Sequence, residues 1–197
     1  PAGRESPAWN HHVLLELLDG PRWDPRRFDE ALVGSKFVRR LLAFYRPSHA
    51  RYSALKKSDM AHQWTYIGVR LCCVLLHHSD GPRAITEERL LSDLSYAFEQ
   101  SEQNADSLFS SPNVQHTQVN GYFDMLAVFF ACTTGQDMLM HSRLYTPWFA
   151  LCQNEDDASV YIMCQLLSIM DLSSSSMSLI LLDRARTQDP AAVRLAP

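Results

Sequence analysis

The segment from Lys36 to Pro47, KFVRRLLAFYRP, constrains the fold of this chain more than any other stretch. Its apolar residues recur with the 3.6-residue period of an α-helix and therefore share one side: Phe37, Val38, Leu41, Leu42, Phe44 and Tyr45. Lys36, Arg39 and Arg40 fall on the opposite side, and no acidic residue stands among them. Proline cannot continue a helix, so the element ends before Pro47. The segment predicts a core helix with a basic outer face.

Other segments show the same period, punctuated by capping residues, Gly and Pro. Asn10 is placed to cap a helix over residues 11–19, and a long apolar helix over residues 59–78 should be buried between neighbours. Residues 79–82 should break the long helix, and a further helix is expected from Thr86 to Glu102. Shorter helices are predicted over residues 24–33 and after residue 144. Strict alternation with hairpin turns, the pattern of β-strands, is missing. We therefore predict an all-α fold, an armadillo/HEAT-like helical repeat (α-solenoid) segment, with a compact irregular helical bundle as the alternative.

The length of 197 residues fits a single segment, 1–197, of a larger helical-repeat domain. Because the chain starts with a proline rather than a methionine, we expect it to be a piece of a longer protein. Residues 1–8 are predicted to be loose, and the polar residues 103–118 to form a surface loop. Five cysteines in apolar surroundings and the lack of an 18-residue apolar run predict free thiols, no membrane insertion and a cytoplasmic location.

Catalytic motifs are weak in this sequence. Ser53 and Lys56 formally match the S-x-x-K pattern of penicillin-binding enzymes, but no companion motif follows. The adjacent pairs His11–His12 and His77–His78 point about 100° apart on a helix, so neither pair can chelate a metal ion as a unit. We predict that the segment is not an enzyme and has neither catalytic residues nor a metal site.

Charge is distributed unevenly along the chain. Residues 1–57 hold 11 Lys and Arg against 6 Asp and Glu, whereas the whole chain has a net charge of −4. This asymmetry favours a local anionic partner for the first third rather than nucleic-acid binding. A plain solvated basic face, or contact with an acidic patch of another subunit, explains the same pattern and stays open.

The motif FVRRLLAFYRP resembles the signature of the middle segment of Rictor, the large subunit of TOR complex 2. The resemblance extends from Trp9–Pro21 to Gly121–Phe123, the region 135–139 and Ala185–Arg194, and it is weakest over residues 48–120. It implies a right-handed stack of armadillo- or HEAT-like helices. It also implies a non-catalytic scaffold that contacts the TOR kinase and the other subunits of the complex.

The resemblance further implies a basic pocket that holds ATP or an inositol polyphosphate without hydrolysis, while no cofactor is required. By position, Lys36, Arg39 and Arg40 would face phosphates together with Arg4, and the groups bordering the base or sugar would be Ser6 and Arg51. The family pattern implies an aromatic residue at position 43, where this chain has Ala43. The missing ring would weaken recognition of the base by about 1–3 kcal/mol.

Overall fold

A computed structural model of the chain describes residues 9–19, 36–101, 107–142 and 144. In these ranges the chain forms eight α-helices and no strand; the β-type pairing there is one isolated bridge between Lys56 and Thr117. The helices are α1 (His11–Asp19), α2 (Phe37–Tyr45), α3 (Asp59–Leu76), α4 (Gly81–Glu87), α5 (Leu90–Ser101), α6 (Ser111–His116), α7 (Gly121–Phe130) and α8 (Thr133–His141). Two 3₁₀ helices, Pro47–His49 and Gln118–Asn120, lie between them. The predicted all-α class is confirmed for this part of the chain.

The first two helices follow the sequence prediction closely. The Asn10 side chain accepts hydrogen bonds from the backbone N–H groups of His12 and Val13 at 3.0 and 3.4 Å, which caps α1 as expected. In α2 the predicted inner side is buried from Val38 to Tyr45, although Phe37 at the first turn is only half-buried. The helix ends at Tyr45, and Arg46 before the proline takes an extended conformation.

Helix α3 is the centre of the described fold. It packs against α1, α4 and α7 and buries ten of its 18 residues, whereas Tyr66 on its outer side is 52% exposed. The approach of α7 is so close that a Cβ at Gly68 would lie 2.6 Å from Met125 Sδ and 2.9 Å from Tyr45 Cε1. Glycine at position 68 therefore allows α3 to pack tightly against α2 and α7.

The chain between α3 and α5 differs from the sequence prediction. Gly81 and Pro82 were expected to lie in a break, but they begin α4, where a proline in the first turn leaves no helical donor unsatisfied. The predicted break is present over residues 77–80, and a second one follows α4 at Arg89, whose φ of 59° is left-handed; α5 begins at Leu90. A left-handed residue after a helix end is commonly Gly, so the arginine gave no sequence signal for this boundary.

Residues 103–118 are not the surface loop that their polar composition predicted, as far as the structure describes them. Residues 102–106 lie outside the described part, whereas Ser111–His116 form α6. Before α6, the ring of Phe109 stacks on Phe98 of α5 with centroids 4.1 Å apart, and Ser107 is buried. Leu108, Phe109 and Val114 pack against the core, so three apolar residues anchor this largely polar segment. A prediction from composition alone gives them too little weight.

The repeat arrangement stays a prediction. The predicted helix over residues 24–33, the loose start at residues 1–8 and the helices predicted after residue 144 lie outside the described residues. None of the described helices is long and apolar enough to cross a membrane.

Candidate functional site

The basic side of α2 faces solvent, as its sequence predicts. Lys36, Arg39 and Arg40 are all exposed, while the opposite side of the helix contributes Leu41, Leu42 and other residues to the core. We call these three exposed residues the basic face. Its position on a rigid, well-buried helix means that the spacing of the three charges is set by the helix backbone.

Arg39 is engaged by an acid that the sequence analysis did not foresee. Its Nε lies 2.7 Å from Oε1 of Glu88, which follows α4 and is only 15% exposed at its side chain. The Arg39 side chain as a whole is 65% exposed, so the pair lies at the surface and leaves donors of Arg39 open to other partners. No ion pair joins Lys36 or Arg40 to any acidic residue in the described ranges.

A second arginine, Arg46, connects the C-terminal end of α2 to α5. Arg46 donates from Nε to Oδ2 of Asp93 in α5 at 2.9 Å, and the Ser48 hydroxyl donates to the same carboxylate oxygen. The side chains of Arg46 and Asp93 are only 20% and 12% exposed. Because this pair is largely removed from water, it positions α2 more firmly than a surface ion pair would.

Arg51, the other predicted site residue that the structure describes, lies outside the basic face. Arg51 is exposed just after the left-handed Ala50, where the backbone N–H of Tyr52 bonds to the carbonyl of Phe44 at 3.3 Å. Phe44 lies eight residues after Lys36, so the backbone near Arg51 is about 12 Å along the helix from the first charge. Arg4 and Ser6 lie outside the described residues.

Behind the basic face, α2 is supported by a cluster of aromatic rings. Phe44 is at its centre, with ring centroids 4.7 Å from Trp64 and 5.1 Å from Tyr45. Trp9 and Tyr52 contact the same ring at 6.2 and 6.1 Å. Tilted and edge-to-face arrangements of this kind favour one packing geometry, so α2 is held in place from its buried side as well.

The S-x-x-K pattern does not form a catalytic arrangement. Ser53 is buried, whereas Lys56 is exposed, and the residues between them are not helical. No group of three or more His, Cys, Asp or Glu that could hold a metal ion occurs among the residues that the structure describes.

Two clefts flank α5 and share Ser92 in their walls. One lies against the first 3₁₀ helix, has a volume of about 440 Å³ and includes Arg89, Asp93 and Tyr96. The other lies between α4, α5 and α8 and has a volume of about 540 Å³; it is lined by Ile85, Thr86, Leu91, Ser92, Thr134, Asp137, Met138, His141 and Ser142. Both volumes are in the range of small-ligand sites.

Comparison with known proteins gives consistent relatives. Residues 99–196 match the family model described as "Rapamycin-insensitive companion of mTOR, middle domain". The chain is 28% identical over 193 residues to the "Target of rapamycin complex 2 subunit ste20" of Schizosaccharomyces pombe. This alignment covers 95% of the chain and 14% of that protein. The chain is also 24% identical over 196 residues to the human "Rapamycin-insensitive companion of mTOR", in an alignment that covers 98% of the chain and 11% of that protein.

The chain belongs to the Rictor family. A third relative, "Target of rapamycin complex 2 subunit TSC11" of Saccharomyces cerevisiae, is 24% identical over 181 residues, or 90% of this chain and 13% of that protein. The chain thus spans 11–14% of the length of these three Rictor-family proteins. The resemblance inferred from the α2 motif is confirmed.

In this Rictor-family segment, sequence reasoning missed the acidic partners of α2. Glu88 and Asp93 come from the α4–α5 region, in the stretch where the resemblance to the family was weakest. Their pairing with Arg39 and Arg46 depends on how α2 packs against the α4–α5 region, and no motif or spacing in the sequence predicts it.

Proposed function

We propose that this chain is a non-catalytic scaffold segment of a Rictor-like subunit of TOR complex 2. In this role its helices form part of a larger helical-repeat domain that supports the TOR kinase and the other subunits. The observation that carries the proposal is the match of 95% of the chain to a TOR complex 2 subunit of which it forms 14%. A segment of that size contributes through its surface and its rigidity to the assembly of the whole protein.

The packing of the described helices supports this role. One continuous core runs from α1 to α8 through α3, and it is rich in buried aromatic residues. Such a core presents its outer surfaces at fixed relative positions, which is what a scaffold requires. We also propose a cytoplasmic location, which agrees with the free thiols of Cys72, Cys73 and Cys132.

Segment exchange in the fission yeast relative tests the scaffold role. The 193 matched residues of ste20 are replaced by the aligned part of this chain, and the TOR kinase that copurifies with the chimera is quantified. We expect the chimera to recover kinase at a level within about twofold of the parent, and deletion of the same residues to abolish recovery. Equal recovery from the deletion variant would contradict the proposal.

A matched pair of variants in the chimera separates folding from surface contact. Phe44→Ala opens the aromatic cluster and should reduce kinase recovery, whereas Met60→Ala removes a side chain that is 69% exposed and should not. If the chimera with the opened core assembled as well as the parent, the rigidity of this segment would not matter for the complex.

We propose as a second function that the basic face binds the phosphates of ATP or an inositol polyphosphate, so that the segment senses a ligand. The exposure of Lys36, Arg39 and Arg40 on one side of α2 favours it. Arginine forks and a lysine charge presented together match phosphate oxygens. Glu88 opposes it, because an anion bound at Arg39 must share that guanidinium with a carboxylate or displace it.

Titration calorimetry with ATP, inositol hexakisphosphate and sulfate tests ligand binding by the 197-residue chain. We expect polyphosphate binding to weaken with added salt and to fall at least tenfold in Arg39→Glu/Arg40→Glu. Ala43→Tyr should strengthen ATP binding and leave the inositol phosphate unchanged, because a ring can stack on the base alone. The control is Arg83→Glu, an exposed arginine paired with Glu87 on α4 away from the basic face.

The outcomes distinguish a shaped site from simple charge. Polyphosphate binding that is equal in the wild-type chain and in Arg39→Glu/Arg40→Glu would end the sensing proposal and leave the scaffold role intact. Loss of polyphosphate binding with normal kinase recovery by the same variant of the chimera would make sensing a separate function.

A further inference from the structure

Two of the hydroxyl side chains that line the cleft between α4, α5 and α8 already use their donors within the chain. The Thr86 hydroxyl donates to the carbonyl of Pro82 at 2.9 Å, and the Ser142 hydroxyl donates to the carbonyl of Leu139 at 3.0 Å. Each oxygen therefore keeps its acceptor capacity and has no proton left to offer. Both side chains act as acceptors toward anything that enters the cleft.

His141 and Asp137 add two more acceptors to the same walls. Nδ1 of His141 lies 2.6 Å from the backbone carbonyl of Asp137, and since a carbonyl can only accept, Nδ1 carries the proton. In the neutral tautomer with the proton on Nδ1, Nε2 is the acceptor. The Asp137 carboxylate is exposed and forms no ion pair with another described residue.

The floor of the cleft is apolar. Ile85 and Leu91 are buried side chains of the core, and Met138 is half-buried beside them. A thioether and two branched aliphatic chains suit an alkyl stem rather than a planar polar group. The volume of about 540 Å³ accommodates a long aliphatic side chain together with part of the backbone that carries it.

We propose that this cleft binds an alkylammonium or alkylguanidinium group, with the cation at Asp137 and His141 and the stem on Met138. Three neutral acceptors and the Asp137 carboxylate, which has no described cationic partner, select a donor that carries positive charge. Lysine and arginine side chains have this combination of apolar stem and charged head, and so does a free polyamine. The charge of the described chain agrees, because the described residues between 58 and 144 hold 3 Arg and no Lys against 8 Asp and Glu. The inference is independent of the basic face and of the proposed functions.

Methyl NMR on the 197-residue chain tests the proposal with hexylammonium chloride as the probe and 1-hexanol as its uncharged match. We expect the Met138 and Ile85 methyl signals to shift on titration with hexylammonium, and to shift at least fivefold less with hexanol at equal concentration. Raising the salt concentration should weaken the binding of hexylammonium but not the binding of hexanol. Equal shifts with both probes, or no shift with either, would overturn the proposal.

A matched pair of variants locates the cation. Asp137→Asn should weaken hexylammonium binding about fivefold or more, since a charge-assisted contact becomes neutral. Glu99→Gln removes the same charge from an exposed position of α5 that does not line the cleft, and it should change binding by less than about twofold. Ser142→Ala removes one neutral acceptor and should weaken hexylammonium binding less than Asp137→Asn does. If Asp137→Asn and Glu99→Gln behave alike, general charge attraction explains the binding and the site is overturned.

The source of the cation is decided by two further probes. A capped Ala-Lys-Ala tripeptide and spermidine are titrated under the same conditions. Tighter binding of the tripeptide supports the cleft as a site for a basic side chain of a protein, and tighter binding of spermidine supports it as a polyamine site. If neither moves the Met138 signal, the proposal fails.

Discussion

The hydroxyl of Tyr122 in α7 donates a hydrogen bond to the backbone carbonyl of Tyr45, 77 residues earlier in the chain, at 2.9 Å. This carbonyl belongs to the last residue of α2, where the helix has no partner for it. The Tyr45 hydroxyl in turn donates to the backbone carbonyl of Trp64 in α3 at 2.7 Å. Two buried tyrosines thus link the helix that carries the basic face to the central helix and to α7.

Removing the Tyr122 hydroxyl should therefore weaken the fold. Tyr122→Phe leaves the Tyr45 carbonyl buried without this partner, and we expect it to lower the free energy of unfolding by about 1–3 kcal/mol in urea denaturation. Tyr96→Phe is the control, since Tyr96 is 64% exposed, and it should change stability by less than about 0.5 kcal/mol. Equal effects in the two variants would show that the buried hydrogen bond contributes nothing.

Phe44→Ala should cost about 3–5 kcal/mol of stability, because it leaves a cavity among aromatic rings that cannot easily collapse. Phe44 contacts Trp9, Tyr45, Tyr52 and Trp64, and its side chain is fully buried. Chemical denaturation measures the loss, and a value below about 1 kcal/mol would mean that the cluster repacks around the smaller residue.

Gly121 and Tyr52 should be energetically coupled. A Cβ at position 121 would clash with the Tyr52 hydroxyl and lie 2.7 Å from Thr65 Oγ1, and the buried Tyr52 ring has little room to move. We expect Gly121→Ala to destabilise by about 1–3 kcal/mol. The loss should be smaller when Tyr52→Phe is already present, because the phenylalanine lacks the clashing atom. A double-mutant cycle without a coupling energy would contradict this close approach.

Alkaline pH should destabilise the fold through its buried tyrosines. Burial raises the pKa of Tyr45, Tyr52 and Tyr122 above the usual value, and for Tyr52 a hydrogen bond with Thr65 offsets part of this rise. In the unfolded chain tyrosine loses its proton near pH 10. Above about pH 10 the unfolded chain therefore holds fewer protons than the folded one, so stability is fully present below this pH and falls as the pH rises.

Urea denaturation between pH 8 and pH 11 measures this effect. Tyr52→Phe should make the fall in stability shallower, whereas Tyr96→Phe should not change its slope. Phenolate absorbance gives a second readout, since the signal of the buried tyrosines should appear together with unfolding. If all phenolate signal developed while the helical circular dichroism stayed constant, the burial of these hydroxyls would be refuted.

The two arginines of the basic face should differ in their contribution to stability. Arg39→Gln removes the contact with Glu88 and should cost up to about 1 kcal/mol, as is typical of exposed ion pairs. Arg40→Gln removes a like charge from the same helix surface and should leave stability unchanged or raise it slightly. Thermal denaturation at low and high salt compares them. Identical behaviour at both salt concentrations would mean that Glu88 does not compensate the basic face.

The sequence alone determined the helices whose signals are local. In α1 the Asn10 cap, in α2 the apolar period and Pro47, and in α3 the long apolar run each predicted an element that the structure confirms within a few residues. Capping, proline geometry and side-chain periodicity act between residues a few positions apart, so they can be read without knowing the fold. The exposure of Lys36, Arg39 and Arg40 followed from the same periodicity.

Only the tertiary structure decided what surrounds those elements. The partners of Arg39 and Arg46, the left-handed turn at Arg89 and the docking of Phe109 on Phe98 each depend on which helices meet. Ion pairs and ring stacking are short-range in space but not in sequence, because a residue's neighbours are set by how the whole core packs. The acceptor-lined cleft of Thr86 and His141 arises in the same way, from helices that come together only in the folded chain.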